Sequence, residues 1–87
     1  VQTCALPIYV IAASDFMIDC TSGTFTVTLP TAVGIAGKQY CIKNSGTGVI
    51  TIDGDGSETI DGMATFKLAT QNESIWVISD GANWKVI

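Results

Sequence analysis

The stretch Thr59–Ile87 reads TIDGMATFKLATQNESIWVISDGANWKVI and decides the fold class. Short apolar runs alternate in it with clusters of Gly, Asn, Asp and Ser, such as Thr70–Ser74 and Ser79–Asn83. This punctuation is typical of short antiparallel strands joined by tight turns. No group of residues in the stretch has the composition of an active site. We therefore expect a structural building block rather than a catalyst.

The same period-two alternation continues toward the N-terminus. Phe16, Ile18 and Cys20 share one face of a predicted strand, and we expect all three to point inward. In the next strand Phe25, Val27 and Leu29 alternate with threonines, which is typical of a half-buried strand. The segment 21–23 (Thr-Ser-Gly) is predicted to join the two strands as a hairpin turn. Pro30 ends the second strand because it has no N–H to donate to a neighbour.

Further along, Tyr40 and Ile42 are expected to face the core, as are Phe66 and Leu68. No segment repeats apolar residues at helical spacing over two turns. The sequence thus predicts an all-β fold, a small antiparallel β-sandwich or barrel-like domain of about eight short strands with essentially no helix. We expect an N-terminal apolar strand or extension over residues 1–13 and a single β-domain over residues 14–87.

Composition indicates that the chain associates with copies of itself. It has 87 residues, of which 47% are hydrophobic and only 14% are charged. A typical globular domain has about 25% charged residues. So little charge leaves part of the apolar surface uncovered, and large exposed apolar patches are uncommon on monomers.

The charged residues argue against several functional classes. The net charge is −4, there is no His, and the four cations are scattered lysines. Nucleic-acid binding needs a clustered basic surface, so we expect none. Without His the chain lacks the usual general base, and we predict that it is not an enzyme and needs no cofactor. No apolar run approaches the roughly 20 residues of a membrane span, so membrane insertion is not expected.

Two clusters are candidate metal or redox sites. Asp53–Glu58 with Asp61 is the one acidic cluster, and it offers oxygen ligands to calcium; we favour solvated turn carboxylates instead. The three cysteines lack zinc-site spacing. A disulfide between Cys20 and Cys41 is one alternative, but Cys41 alternates out of phase with its inward neighbours, so free thiols at Cys4, Cys20 and Cys41 are the plainer interpretation.

The N-terminus has an unusual character. The chain begins with Val1 rather than Met, so we expect a fragment or a truncated gene model. Val1–Ile8 (VQTCALPI) resembles a translated sequencing adapter, in which case Cys4 carries no biological information.

Two predicted strands are apolar on both faces, Ile8–Ala12 and Ile75–Ile78. One face of each is expected to meet the core and the other a neighbouring copy, with an aromatic residue at the centre of the contact. The candidate oligomer-interface residues are Ile8, Val10, Met17, Trp76 and Ile78. An alternative use of the aromatic residues is stacking on sugars by Tyr9, Tyr40, Trp76 or Trp84.

Four segments in order resemble a β-domain that recurs in bacteriophage tail fibres and related virion appendages. They are Thr24–Pro30 (TFTVTLP), Gly37–Lys43 (GKQYCIK), Thr59–Gly62 (TIDG) and Ile78–Trp84 (ISDGANW), and the likeness extends from Ser14 to Ile87. The resemblance implies an all-β homotrimer at the virion surface or in the extracellular space that serves in host attachment, with host-surface polysaccharide as a further partner. The cysteines and Trp76 depart from the family pattern.

The resemblance also assigns structural roles to turn residues. Gly62 and Gly81 fit positions with positive φ, and Asp61 and Asp80 fit turns in which a carboxylate accepts bonds from the residues that follow. Trp84 fits the core anchor of the last strand.

Our first hypothesis is therefore a non-enzymatic structural or attachment module of a tail fibre or similar appendage. The alternative within structural proteins is a subunit of an extracellular filament, in which Ile8–Ala12 adds as a strand to the next copy. A monomeric carbohydrate-binding module is the second alternative, and a hydrolase with paired carboxylates is the least supported.

Overall fold

The structure is a computed structural model that describes residues 2–4 and 8–87, with the side chains of Gln2, Cys4 and Ile8 also outside the description. In the described residues the fold is all-β, as predicted, and no helix occurs. The nine strands are β1 (Gln2–Cys4), β2 (Ile8–Val10), β3 (Met17–Cys20), β4 (Phe25–Thr28), β5 (Gln39–Asn44), β6 (Ile50–Asp53), β7 (Thr65–Leu68), β8 (Glu73–Ser79) and β9 (Trp84–Val86).

The strands form two sheets, and neither sheet closes on itself. Sheet A has the order β1-β3-β5-β8-β9, and sheet B has the order β2-β4-β6-β7. From β1 to β6 the chain passes alternately from one sheet to the other, so that β3 pairs in parallel with β1 and β5, and β4 with β2 and β6. The chain then reverses, and β7, β8 and β9 add as antiparallel strands.

The expectation of antiparallel pairing throughout is therefore wrong for the first two thirds of the chain. Side chains alternate with period two in parallel and antiparallel strands alike, so the pattern cannot tell the two apart. The predicted hairpin at 21–23 is corrected for the same reason, because β3 lies in sheet A and β4 in sheet B. This segment is a corner at which the chain changes sheets.

One hydrophobic core lies between the sheets. Sheet A contributes Ile18, Tyr40 and Ile42, and sheet B contributes Val27 and Ile52, all fully buried. The expected inward direction is thus correct for Ile18, Cys20, Phe25, Val27, Leu29, Tyr40, Ile42 and Leu68. It is wrong for Phe16, whose side chain is 55% exposed. Phe16 precedes the first paired residue of β3, so the alternation of the strand does not extend to it.

The final turns hold β9 in place. Gly62 and Gly81 have φ of 80° and 96°, in the region that favours glycine. The Asp80 carboxylate accepts bonds from the N–H groups of Ala82 and Asn83, which hold the pKa of this carboxyl below its usual value.

Asp61 departs from the expected turn geometry. Its carboxylate accepts a bond from the Val86 N–H across the chain at 3.0 Å rather than from the residues that follow it. Its own N–H donates to the Trp84 carbonyl, and the Trp84 N–H donates to the Thr59 carbonyl. The segment 59–61 therefore runs along β9 and occupies the outer edge of this strand.

Candidate functional site

The outer faces of the two sheets differ in chemistry. On sheet B the outward positions of β4, β6 and β7 are polar; they are Thr26, Thr28, Thr51, Asp53, Thr65 and Lys67. This is the composition of a face that meets water, except at the edge strand β2, where the exposed Val10 lies beside Thr28. The corresponding face of sheet A is apolar at its centre.

A row of apolar side chains crosses the outside of sheet A. The register places Met17 beside Cys41 and Cys41 beside Trp76. Ile87 continues the row, because its N–H donates to the Trp76 carbonyl at 2.9 Å. We name this surface the outer strip of sheet A and define it by Phe16, Met17, Cys41, Trp76, Ile78 and Ile87. Phe16, Trp76 and Ile87 are 55%, 39% and 63% exposed.

The two aromatic rings of the strip meet above β5. Phe16 and Trp76 pack edge to face with 5.3 Å between ring centroids. Cys41 lies on the strand between them and is only 6% exposed, although it points away from the core. Burial raises the pKa of its thiol, and the nearby Lys43 ammonium opposes this in part. Cys41 is thus a covered thiol whose raised pKa favours its neutral form.

Charged residues flank the strip on opposite sides. Asp19 and Lys43 are register partners on one side of the apolar row. Lys85 lies on the other side, as the register partner of Ile78. Asp19 accepts a hydrogen bond from the Ser45 hydroxyl, and the Lys43 ammonium donates to the Asn72 carbonyl at 3.3 Å.

The structure brings three of the five interface candidates together. Met17, Trp76 and Ile78 lie on the outer strip. Val10 is exposed, but it belongs to β2 at the edge of sheet B and lies apart from them. The side chain of Ile8 is outside the described residues.

Three residues of the strip, Phe16, Cys41 and Ile87, were not among the interface candidates. Cys41 was expected only to point away from the core. Phe16 was assigned to the interior by extending the alternation of β3 beyond the strand. Ile87 follows the last strand, and its place beside Trp76 depends on the pairing of β8 with β9. The available signal was the continued alternation from Lys85 to Ile87, which puts both on one face.

Three of the four aromatic residues proposed to stack on sugars are buried or half-buried within the domain. Tyr40 and Trp84 are fully buried, and their rings contact each other. The Trp84 indole N–H donates to the Pro30 carbonyl at 3.1 Å. Tyr9 is half-buried and donates its hydroxyl to Asp15. Of the four, Trp76 alone presents an exposed face.

The acidic loop is tied into the fold rather than arranged around a cation. The Glu58 carboxylate accepts bonds from the Thr31 hydroxyl at 2.6 Å and from the Ala32 N–H at 2.8 Å. Asp61 is bonded to β9, as described above. Within residues 2–4 and 8–87 no three acidic, His or Cys side chains lie close enough to share a metal ion.

The disulfide alternative fails on geometry. Cys20 is the register partner of Asn44 and points into the core, whereas Cys41 points outward beneath Phe16 and Trp76. Side chains on opposite faces of adjacent strands cannot be bridged without moving the backbone. The side chain of Cys4 is outside the described residues.

No protein-family model matches the sequence, and a search of the curated proteins gives no match. In the part of the chain that the structure describes, no helix is long and apolar enough to cross a membrane.

Proposed function

We propose that this chain is a non-enzymatic structural or attachment module that works as an assembly of identical copies. The observation that carries the proposal is the contrast between the polar outward positions of β4, β6 and β7 in sheet B and the outer strip of sheet A. An exposed indole, phenyl ring and isoleucine on one face of a domain with 14% charged residues favour coverage by protein.

The placement in a tail fibre or similar virion appendage depends on the resemblance of Ser14–Ile87 to that family. This resemblance implies a threefold assembly, a virion-surface or extracellular location, and host-surface polysaccharide as a further partner. Two open sheets that share one core are compatible with the sandwich arrangement of the first hypothesis.

The filament alternative assigns Ile8–Ala12 to the next copy. In the structure β2 pairs with β4 of its own chain, and the Ile11 N–H donates to the Thr28 carbonyl. Ile11 is also buried in the core. A filament by strand exchange would have to replace these contacts with equivalent ones between copies, so we favour a closed assembly.

Light scattering coupled to size exclusion at two concentrations tests the proposal. We expect a defined multiple of the 9.1 kDa chain at both concentrations. A solitary monomer at high concentration refutes self-association, and a mass that grows with concentration supports the filament.

The filament has its own test in Val10→Lys. Val10 lies on the edge strand of sheet B and is exposed, and lysine on an edge strand opposes strand addition. A filament that depends on this edge is lost in the variant, whereas a closed assembly keeps its mass.

A carbohydrate-binding module is tested by titrating tryptophan fluorescence with polysaccharides. Trp76 is exposed and Trp84 is buried, so sugar stacking would change the emission of Trp76. Unchanged emission with a broad panel contradicts this alternative.

A further inference from the structure

We infer that the pair Asp55–Gly56, in the turn after β6, is a site of spontaneous covalent modification, at which the backbone rearranges from an aspartyl to an isoaspartyl linkage. The site is independent of the proposed function, because the reaction takes place within one chain whether or not copies associate. The sequence contains the same dipeptide in four settings, Asp53–Gly54, Asp55–Gly56, Asp61–Gly62 and Asp80–Gly81.

An Asp-Gly pair supplies every atom of this rearrangement except water. The glycine nitrogen attacks Cγ of the uncharged aspartic acid, a C–N bond forms, and the acid hydroxyl leaves with the amide proton as water. The product is a succinimide ring. Water then adds to the former backbone carbonyl and breaks its bond to nitrogen, so that the chain continues through Cβ and Cγ and an α-carboxylate is released. Glycine favours the attack because it has no Cβ and permits the backbone angles that the ring requires.

Two of the four pairs are held by hydrogen bonds to the aspartate. The Asp61 and Asp80 carboxylates both accept backbone N–H bonds, as described above, which fix them in place. The bonds to Asp80 also hold its pKa below its usual value, and an ionised carboxylate is a poor electrophile. The Gly81 N–H, which contains the attacking nitrogen of that pair, donates to the Ser79 hydroxyl at 3.1 Å.

The pair Asp53–Gly54 is held by its backbone. Asp53 is the last residue of β6, and its carbonyl accepts a bond from the Leu29 N–H at 2.8 Å. Gly54 is buried, and a Cβ at this position would lie 2.5 Å from the Glu58 carbonyl oxygen. Backbone packed this closely has no room to pass through the ring geometry.

The pair Asp55–Gly56 has none of these restraints. Both residues are exposed. Within the described part of the chain, neither the Asp55 carboxylate nor the Gly56 N–H takes part in a hydrogen bond. Gly56 has φ of 57°, and nothing lies within 4 Å of a Cβ added to it. The acid and the attacking nitrogen can therefore adopt the geometry of the ring without breaking contacts with the rest of the domain.

The ends of the turn limit how far the modification changes the structure. Gly54 packs on Glu58, and the Glu58 carboxylate is bonded to the Thr31 hydroxyl and the Ala32 N–H. Isoaspartate adds one carbon to the backbone between these fixed points. We expect the turn to bulge into solvent while β6 and the core keep their places.

The test is incubation of the full folded chain in warm neutral buffer, followed by peptide mapping with fragmentation that assigns each residue. The succinimide is detected as a peptide that has lost one water, and isoaspartate as a peptide that an isoaspartyl methyltransferase methylates. We expect modification to accumulate at Asp55 at least about tenfold faster than at Asp53, Asp61 or Asp80, because only this pair opens without local unfolding.

The same chain in urea is the matched control. Without folded structure the four pairs differ only in their flanking residues, so their rates are expected to agree within about threefold. Asp55→Glu, which would have to form a larger and less favourable ring, is expected to remove the modification at this position and to keep the thermal unfolding temperature of the wild type.

Three results would overturn the assignment. They are equal rates at the four pairs in the folded chain, faster modification at Asp53, Asp61 or Asp80 than at Asp55, and an unmodified Asp55 after the time in which the chain in urea has reacted. The mass of the assembly measured by light scattering does not enter this comparison, so the assignment and the proposed function fail separately.

Discussion

The Phe16 ring packs edge to face on the Trp76 indole at an interplanar angle of 62°, across the strand that lies between them. The contact joins β8 to the residue that precedes β3, and it covers Cys41 on the outside of sheet A. It also places two large rings where an ordinary solvent face would carry polar side chains. The ring contact therefore orders the apolar strip within the single chain.

The cover over Cys41 predicts how its thiol reacts. In Trp76→Ala we expect an aromatic disulfide reagent to label Cys41 at least about tenfold faster than in the wild type, because access limits the reaction of a buried thiol. The measurement is the labelling rate in dilute solution, where association is least.

Controls assign this rate to one thiol. Cys41→Ser in the Trp76→Ala background should remove the fast phase, and Thr51→Ala on sheet B should leave the labelling rate at the wild-type value. Equal rates in Trp76→Ala and wild type would show that the indole does not protect the thiol.

Local patterns predicted the core but not the order of the strands. The alternation through Phe25, Val27 and Leu29, and through Tyr40 and Ile42, gave the correct inward direction because each strand has one buried face. The parallel pairing of β3 with β5 joins residues that are far apart in the sequence. No local pattern encodes such pairing, and the Gly-rich corners resemble hairpin turns in composition.

The site could be predicted only in part for the same reason. Trp76 and Ile78 stood out because their strand is apolar on both faces. Phe16 reaches the strip by a ring contact outside the strand, and Ile87 by pairing with β8, so both depend on tertiary structure. The Asp61 carboxylate likewise bonds to β9 rather than within its own turn.

The buried side chain of Asn44 holds the corner between β5 and β6 through its hydrogen bonds. Its amide N–H groups donate to the Gly48 and Leu68 carbonyls, both at 2.8 Å, and its side-chain oxygen accepts from the Gly46 N–H. Asn44→Ala leaves these backbone groups unpaired, so we expect the free energy of unfolding to fall by about 3 kcal/mol. Urea denaturation measures this change.

Two further variants test the explanation for Asn44. Asn44→Asp keeps the shape but exchanges donors for acceptors that face two carbonyls, so it should destabilise at least as much as alanine. The exposed Gln71→Ala is expected to change stability by less than about 0.5 kcal/mol. A near-neutral Asn44→Asp would contradict the assigned amide orientation.

Gly48 lies where the corner between β5 and β6 approaches the corner between β3 and β4. This approach leaves no room for a side chain at position 48. A Cβ at this position would lie 2.2 Å from the Gly23 carbonyl oxygen and 2.5 Å from the Thr24 hydroxyl oxygen. Since the first of these is backbone, Gly48→Ala must displace one corner, at an expected cost of about 3 kcal/mol.

A second glycine separates this steric effect from backbone strain. Gly34 has φ of 81° and nothing within 4 Å of its added Cβ, so Gly34→Ala should cost only about 1 kcal/mol. Chemical denaturation of both variants gives the comparison. Equal losses would mean that the corners do not pack as tightly as the structure shows.

Tyr40 predicts a loss of stability in alkali. Its hydroxyl is held in the core near the Ala12 carbonyl, and burial first, then the Asp15 carboxylate, raises the pKa of the phenol above its usual value of 10.0. The unfolded chain then releases this proton at a lower pH than the folded chain does. The contribution of Tyr40 is therefore complete below about pH 10 and is lost as the pH rises through the folded-state pKa. Tyr40→Phe has no such proton, so its free energy of unfolding should decline less than that of the wild type between about pH 9 and 11, as measured by urea denaturation at each pH.

Tyr9→Phe, which removes the other phenol, is the matched control. Parallel pH profiles for wild type and Tyr40→Phe would show that the buried phenol does not control the alkaline transition.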